Sequence, residues 1–172
     1  SDGKINPNPN WKIIRETSAV ATIEADRSHG LVMCQKAMDI AIEKARKTGI
    51  GAVTIQNSTH AGMMAYHSMR AMEHDMIGYA ITGGGAIMVP TYGAEPRLGS
   101  VPHTWAVPAG KMPPFVLDIS SSSVAANKIS LLRRTGAKLL PGLLAGEDGT
   151  PIMDERDVPE KANLLPWGST RE

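Results

Sequence analysis

Residues 49–62 read GIGAVTIQNSTHAG. This stretch decides the fold prediction because it contains the end of a helix, a strand, and the junction between that strand and the next helix. Gly49 ends a pattern of apolar residues at helical spacing that runs from Leu31 to Lys47. Ile50–Gln56 is a short β-branched run typical of a strand. Asn57–Gly62 then connects this strand to a second helical pattern, so helix and strand alternate here.

The same alternation continues on both sides of this stretch and predicts an α/β fold. We expect a three-layer domain in which helices pack on a mixed sheet, with residues 1–172 forming a single domain. The predicted elements are, in order, strand Ala19–Ala25, helix Leu31–Lys47, strand Ile50–Gln56, helix Ala61–Asp75, strand Ile77–Thr82, strand Thr104–Val107, strand Phe115–Ile119 and helix Ser123–Thr135.

Composition excludes several functional classes. The chain has 172 residues, 42% of them hydrophobic, which is enough for one domain with a proper core. Its formal charge of +1 is spread along the chain without a basic run, which argues against a nucleic-acid partner. No long apolar stretch predicts a membrane span. Cys34 is the only cysteine and has no partner for an intrachain disulfide, so we expect a cytoplasmic protein.

The glycine fingerprint of a Rossmann nucleotide site is absent. That fingerprint follows a strand and opens a helix, where backbone amides meet the pyrophosphate. Gly49-Ile50-Gly51 follows a helix and precedes a strand, which is the wrong order. Gly83-Gly84-Gly85 follows a strand, but no convincing helix comes after it. The sequence therefore disfavours a Rossmann fold.

Three histidines, His60, His67 and His74, are spaced seven residues apart. On one helix, neighbours in this series would be about 10 Å apart, too far to share a metal ion, so we predict no metal site. His67 and His74 are interpreted as ordinary helix residues. His60 differs because it lies between a strand and a helix, where an imidazole can exchange a proton with a hydroxyl or carbonyl oxygen. A capping or structural role for His60 stays open.

A second junction of this kind is Phe115–Asp118 followed by Ile119 and four serines. One serine can simply cap the next helix. Alternatively, Asp118 accepts hydrogen bonds from ribose hydroxyls while the serines and helix amides face phosphate. Neither interpretation excludes the other.

Taken together, the motifs resemble the type 2 malate/L-lactate dehydrogenase family, which includes ureidoglycolate and sulfolactate dehydrogenases and the piperideine-2-carboxylate and pyrroline-2-carboxylate reductases. The matching segments occur in the family's order. They are Asn6-Pro7, Ala37-Met38 with Ala41–Ala45, Gly49–Val53, Asn57–His60, Glu95–Ser100 with Pro102, and Phe115–Asp118.

The resemblance implies a nicotinamide-nucleotide-binding fold that is not the Rossmann fold, with NAD or NADP as cofactor. His60 matches a histidine described as the acid/base catalyst in some members and as part of the cofactor-contacting stretch in others. The resemblance also implies that Ser100, where the family usually has threonine, contacts the substrate. The reaction it implies is hydride transfer between NAD(P) and a 2-hydroxy or 2-oxo acid such as malate, lactate or ureidoglycolate. The cofactor-contacting stretches it implies are His60, Ala61, Gly62, Met63 and Met64, and Asp118, Ile119 and Ser120.

Departures from the family pattern leave the substrate open. The chain has Gly99-Ser100-Val101-Pro102 where the family commonly has Gly-Thr-Asn-Pro, and Ala61 where an aromatic residue often follows the histidine. Family members are also longer, with a catalytic segment before this region and a cofactor-closing segment after it. Because family members are usually dimers, the resemblance implies a homodimer; the difference in length leads us to expect, alternatively, an assembly with complementary fragments. The alternative is a non-catalytic nucleotide-binding or structural fragment that is inactive without such chains.

Overall fold

The computed structural model describes residues 3–169. The chain forms two compact units, Ser1–Ala80 with Thr104–Asp118, and Ile81–His103 with Ile119–Glu172. The expectation of one cofactor-binding domain over residues 1–172 stays a prediction. No helix among the described residues is long and apolar enough to cross a membrane.

A three-stranded sheet with one long helix forms the start of the first unit. Its strands are β1 (Lys12–Glu16), β2 (Val20–Glu24) and β3 (Ala52–Gln56), and they lie in the order β1-β2-β3. β1 pairs with β2 antiparallel, whereas β3 pairs with β2 in parallel, with Val20 opposite Ala52. The sheet is therefore mixed, as predicted, although β1 was not foreseen.

Helix α1 (Gly30–Thr48) connects the parallel strands β2 and β3 and confirms the predicted helix within one residue at each end. Gly49 ends it in the left-handed conformation, with φ of 82°, and donates its N–H to the Ala45 carbonyl at 2.8 Å. Apolar residues of α1 and the sheet form one core, because helical spacing places them on the face that meets the strands. The buried members of this core are Ile23, Ala25, Met33 and Ala37.

The predicted helix over Ala61–Asp75 is wrong in its first turn. Only α2 (Ala65–Ser68) is α-helical, and a 3₁₀ helix continues it over Met69–His74. Gly62 has φ of +75°, which a right-handed helix cannot contain, so residues 61–64 form an irregular connection instead. His60 consequently lies outside the helix that carries His67.

A second three-stranded sheet has the order β4-β7-β8, where β4 is Gly78–Ile81, β7 is Pro102–Val107 and β8 is Phe115–Ser120. All three strands fall on predicted strand segments. The chain passes between the two units within all three of these strands, after Ala80, after His103 and after Asp118. In the first unit, the buried hydroxyls of Ser68 and Thr104 lie 3.1 Å apart and attach α2 to β7.

Among the described residues, the second unit also contains a sheet of four short strands and one helix. Its sheet has the order β6-β5-β10-β9, with β5 at Ala86–Met88, β6 at Leu98–Gly99, β9 at Leu144–Ala145 and β10 at Asn163–Leu164. The strands of residues 3–169 thus form three small sheets where we expected one. Helix α3 (Ala126–Thr135) begins three residues after the predicted start and ends at Gly136 as predicted. The main hydrophobic core of the second unit consists of Met88, Val124, Ile129, Leu139, Leu144, Ile152 and Leu164.

Candidate functional site

The junction after β3 is held in place from its first residue. Asn57 adopts the left-handed conformation, with φ of 53°, and its carbonyl accepts the N–H of Arg27 at 2.7 Å. Its side-chain amide donates to Glu24 at 2.8 Å. Hydrogen bonds from Gln56, Asn57 and the backbone of Asp26 lower the pKa of Glu24, because they stabilise its charged form. An ionised Glu24 therefore fixes the point where the junction leaves the sheet.

Further along the junction, Thr59 attaches the chain to the start of α1. Its hydroxyl accepts the N–H of Gly30 at 3.2 Å and donates to the Ser28 carbonyl at 3.1 Å. A Cβ atom at position 30 would lie 2.2 Å from the Thr59 carbonyl oxygen and 2.6 Å from that of His60. Only glycine permits this approach, so Gly30 determines how closely the junction packs on α1. No motif or spacing in the sequence marks Gly30 as part of the site.

His60 is exposed, and one of its ring nitrogens already has a partner. Nδ1 lies 3.1 Å from the backbone nitrogen of Gly62 and accepts its hydrogen. A neutral imidazole with an accepting Nδ1 carries its proton on Nε2. His60 therefore offers an N–H donor to a ligand. The helix predicted to begin directly after His60 begins only at Ala65, so its first amides do not follow His60 in sequence.

The first amide of α2 is taken by a carboxylate from β8. Asp118 Oδ2 lies 2.8 Å from the backbone nitrogen of Ala65 and accepts its hydrogen. Among the described residues, the other oxygen, Oδ1, accepts no hydrogen bond. This contact places β8 directly beside the segment that follows His60. Two stretches that are 53 residues apart in sequence thus meet in the first unit.

Helix α1 aligns with the segment after His60 in a regular register. Three pairs of side chains or backbone positions are in contact, and each pair lies four residues beyond the last. A Cβ at Gly62 would lie 3.1 Å from the Leu31 side chain, Gln35 donates to the Tyr66 hydroxyl, and Arg70 donates to Asp39 at 2.6 and 2.9 Å. Leu31, Gln35 and Asp39 lie four residues apart on one face of α1. These contacts therefore align residues 62–70 along that face.

A group of three serine hydroxyls lies in the second unit. Ser100 Oγ is 2.7 Å from both Ser120 Oγ and Ser122 Oγ, and the latter two are 3.1 Å apart. Ser122 is buried and donates to the Val124 carbonyl at 2.9 Å. The structure thus brings the predicted residues Ser100 and Ser120 together and adds Ser122, which was not among the predicted site residues.

The predicted site residues are therefore divided between the two units. His60–Met64 and Asp118 belong to the first unit, and Ser100 and Ser120 belong to the second. Ile119 lies between Asp118 and Ser120 in β8 and is half-buried. Met63 is 65% exposed, whereas Met64 is buried, so only the former offers an apolar surface to a ligand. Residues 3–169 contain no group of three or more side chains suited to hold a metal ion.

These groups suit a nicotinamide nucleotide chemically. The free oxygen of Asp118 can accept a hydrogen bond from a ribose hydroxyl, and the exposed thioether of Met63 can cover an aromatic ring. The Nε2–H of His60 can donate to a carbonyl or hydroxyl oxygen.

Comparisons with known proteins agree on one family. A family model described as malate/L-lactate dehydrogenase matches residues 1–171. A malate dehydrogenase from Pyrococcus abyssi is 39% identical over 170 residues, which are 99% of this chain and 47% of the relative. The chain thus spans about half the length of the curated relatives it matches.

Solved structures of similar proteins share the fold. The sulfolactate dehydrogenase from Methanocaldococcus jannaschii superposes with a TM-score of 0.84 at 38% identity and covers 96% of this chain and 48% of its own. The malate dehydrogenase from Entamoeba histolytica gives a TM-score of 0.87 at 33% identity, covering 96% of this chain and 47% of its own. The mixed sheets and the junction after β3 thus belong to an architecture that dehydrogenases use.

Proposed function

The chain belongs to the malate/L-lactate dehydrogenase family, and we propose that it binds NAD or NADP for hydride transfer to or from a 2-hydroxy or 2-oxo acid. One observation carries the proposal, namely the hydrogen bond from Ala65 to Asp118, because it joins the two stretches proposed to contact the cofactor. Malate, lactate and ureidoglycolate are the proposed substrates. The proposed nucleotide fold is not a Rossmann fold, since no glycine fingerprint follows β2.

We propose that the nucleotide lies along residues 60–64 and 118–120. Asp118 would hold a ribose hydroxyl with its free oxygen, and Met63 would cover part of the nicotinamide ring. When bound, the cofactor supplies or accepts the hydride. The backbone beside Asp118 and Met63 would orient these two side chains toward the ligand. It is contributed by Ala61, Gly62, Met64 and Ile119.

His60 is the proposed proton-transferring residue. With Nδ1 accepting from Gly62, the neutral ring presents Nε2–H, which can hydrogen-bond to the oxygen of a 2-oxo acid and polarise it. Donating a full proton requires the imidazolium form, in which Nδ1 also carries a hydrogen and the contact to Gly62 is released. The hydrogen bond from the Gly62 amide is thus made by the neutral form of His60 and not by the form that donates a proton.

Ser100 is the proposed substrate contact in the second unit. Ser122 donates its hydroxyl hydrogen to the Val124 carbonyl. Only the hydroxyl hydrogens of Ser100 and Ser120 are therefore left for the three contacts among the hydroxyls. An oxygen lone pair of Ser100 is therefore available to a ligand group, and its proton becomes available if an internal contact opens.

A turnover assay tests the proposal. The full chain is mixed with reduced NAD or NADP and a panel of 2-oxo acids, and the absorbance of the reduced cofactor is followed. We expect turnover with at least one acid and a loss of about 10²- to 10⁴-fold in His60→Ala, the usual contribution of a general acid. Cofactor binding without turnover would instead assign a nucleotide-binding fragment that is inactive alone. Absence of both would overturn the proposal.

We further propose a homodimer or an assembly with complementary chains, located in the cytoplasm. The resemblance to the family supports the first statement, and the free thiol of Cys34, which forms no disulfide, supports the second. Native mass measurement of the purified protein distinguishes a monomer from these assemblies. A single mass of 18.3 kDa would contradict the assembly.

A further inference from the structure

His67 is a buried histidine that the proposed chemistry does not use. It lies in α2, is 1% exposed, and its Nε2 is 2.8 Å from the Ala61 carbonyl oxygen. A carbonyl oxygen only accepts hydrogen bonds, so Nε2 must be the donor. Nδ1 is buried and has no partner among the described residues. A hydrogen on Nδ1 would be an unsatisfied buried donor, so the ring is neutral with its proton on Nε2.

The carbonyl that His67 contacts belongs to the same peptide group as the amide that contacts His60. The oxygen of Ala61 accepts from His67, and the N–H of Gly62 donates to His60 Nδ1 at 3.1 Å. A peptide group is planar, so a bond that fixes its oxygen also fixes its hydrogen. Hydrogen bonding at the oxygen also strengthens the N–H as a donor through polarisation.

From this chain of contacts we propose that His67 is a positioning residue for His60. Through the Ala61–Gly62 peptide, it holds the His60 imidazole in the tautomer that carries its proton on Nε2. The inference rests on the proposed role of His60 and extends it to a residue that touches neither substrate nor cofactor. Without His67, the peptide is free to rotate, and the Gly62 amide no longer selects one tautomer.

The local packing allows this role to be separated from simple core filling. His67 packs edge-on against Tyr66, with ring centroids 5.5 Å apart, and phenylalanine can keep that contact while removing the donor. Glutamine replaces the ring but carries an amide N–H near the position of Nε2. His67→Phe therefore tests the hydrogen bond, and His67→Gln tests whether a donor alone restores it.

The experiment measures the ring nitrogens of His60 and the exchange rate of the Gly62 amide hydrogen by NMR on the ¹⁵N-labelled full chain at about pH 8, where ordinary histidines are neutral. In the unmodified chain we expect separate signals for an unprotonated Nδ1 and a protonated Nε2. In His67→Phe we expect loss of part of this separation and Gly62 exchange that is roughly three- to tenfold faster, as for one net hydrogen bond. His67→Gln should lie near the unmodified chain.

A second histidine, His74, provides a matched control for His67. His74→Phe changes an exposed histidine that contacts Arg46 rather than the 61–62 peptide, and it should leave both signals unchanged. A proton on Nδ1 of His60 in the unmodified chain would overturn the proposal, even if His67→Phe fails to fold. Identical His60 signals in His67→Phe would overturn it as well. Neither readout requires a cofactor, so a failed turnover assay leaves this result separate.

Discussion

Asp118 Oδ2 accepts the backbone hydrogen of Ala65 across 2.8 Å, although the two residues are 53 positions apart in sequence. The contact has two consequences at once. It caps the first amide of α2, and it fixes β8 beside the segment that carries His60. Stability and the proposed cofactor site are therefore coupled through one carboxylate.

The first prediction concerns this carboxylate. Asp118→Ala should lower the free energy of unfolding by about 1 kcal/mol, the usual cost of losing a helix-capping acceptor, whereas Asp118→Asn should cost less because it retains an acceptor oxygen. Denaturant unfolding measures both. As a control, Asp157→Ala removes an exposed partner of Lys138 and should change little. Equal stability of Asp118→Ala and the unmodified chain would show that the contact is not formed in solution.

The second prediction concerns the close approach at Gly30. Gly30→Ala places a methyl group 2.2 Å from the Thr59 carbonyl oxygen, so the junction must move. We expect a loss of about 2 kcal/mol in the free energy of unfolding, as for other overpacked sites. Gly83→Ala is the matched control, because nothing lies within 4 Å of its Cβ and its φ is not positive. A Gly30→Ala chain as stable as the control would contradict the packing described for Thr59.

The third prediction is a pH dependence that arises from Glu24. Its pKa is lower in the folded chain than in the unfolded one, chiefly because Gln56, Asn57 and Asp26 donate hydrogen bonds to it. The stabilisation is thus present above the unfolded value of about 4.3 and is lost as the pH falls through the folded pKa. Glu24→Gln does not titrate, so the difference in melting temperature between it and the unmodified chain should shrink on acidification from about pH 7 to pH 3. A difference that stays constant with pH would refute this role.

The fourth prediction separates the Ser100 hydroxyl from general packing. Ser100→Ala should raise the KM of the 2-oxo acid by roughly two- to tenfold, which corresponds to one net hydrogen bond, while Ser100→Thr retains the hydroxyl and should stay near the original value. Steady-state kinetics on the best substrate of the panel measures this. Ser130→Ala alters a serine on the exposed face of α3 and serves as the control. An unchanged KM in Ser100→Ala would remove Ser100 from the substrate site.

Local sequence signals predicted the elements that depend on neighbouring residues. The apolar spacing of α1 and its glycine stop, and the β-branched run of β3, gave bounds within two residues of those observed. The prediction of a helix over 61–64 was wrong because apolar periodicity carries no information on the positive φ of Gly62. Contacts between distant segments, such as Gly30 with Thr59, leave no periodic signal at all.

The candidate site was predicted in the same uneven way. The order of the motifs predicted His60, Ser100 and Asp118 as site residues, but it did not predict the residues that position them. His67 had the spacing of an ordinary helix residue, and only its burial and its contact with Ala61 distinguish it. In the sequence, nothing distinguishes Ser122 from the other serines of its run. Only the fold shows that its hydroxyl contacts Ser100.

The most direct test of cofactor binding is a titration of the ¹⁵N-labelled full chain with reduced NAD and, separately, reduced NADP, followed by backbone amide shifts. We predict saturable binding of one nucleotide per chain, with the largest shifts at residues 60–65 and 118–120, and roughly tenfold weaker binding in Asp118→Ala, as for the loss of about 1.4 kcal/mol. Absence of saturable binding for both cofactors, or shifts confined to other residues, would contradict the proposed site.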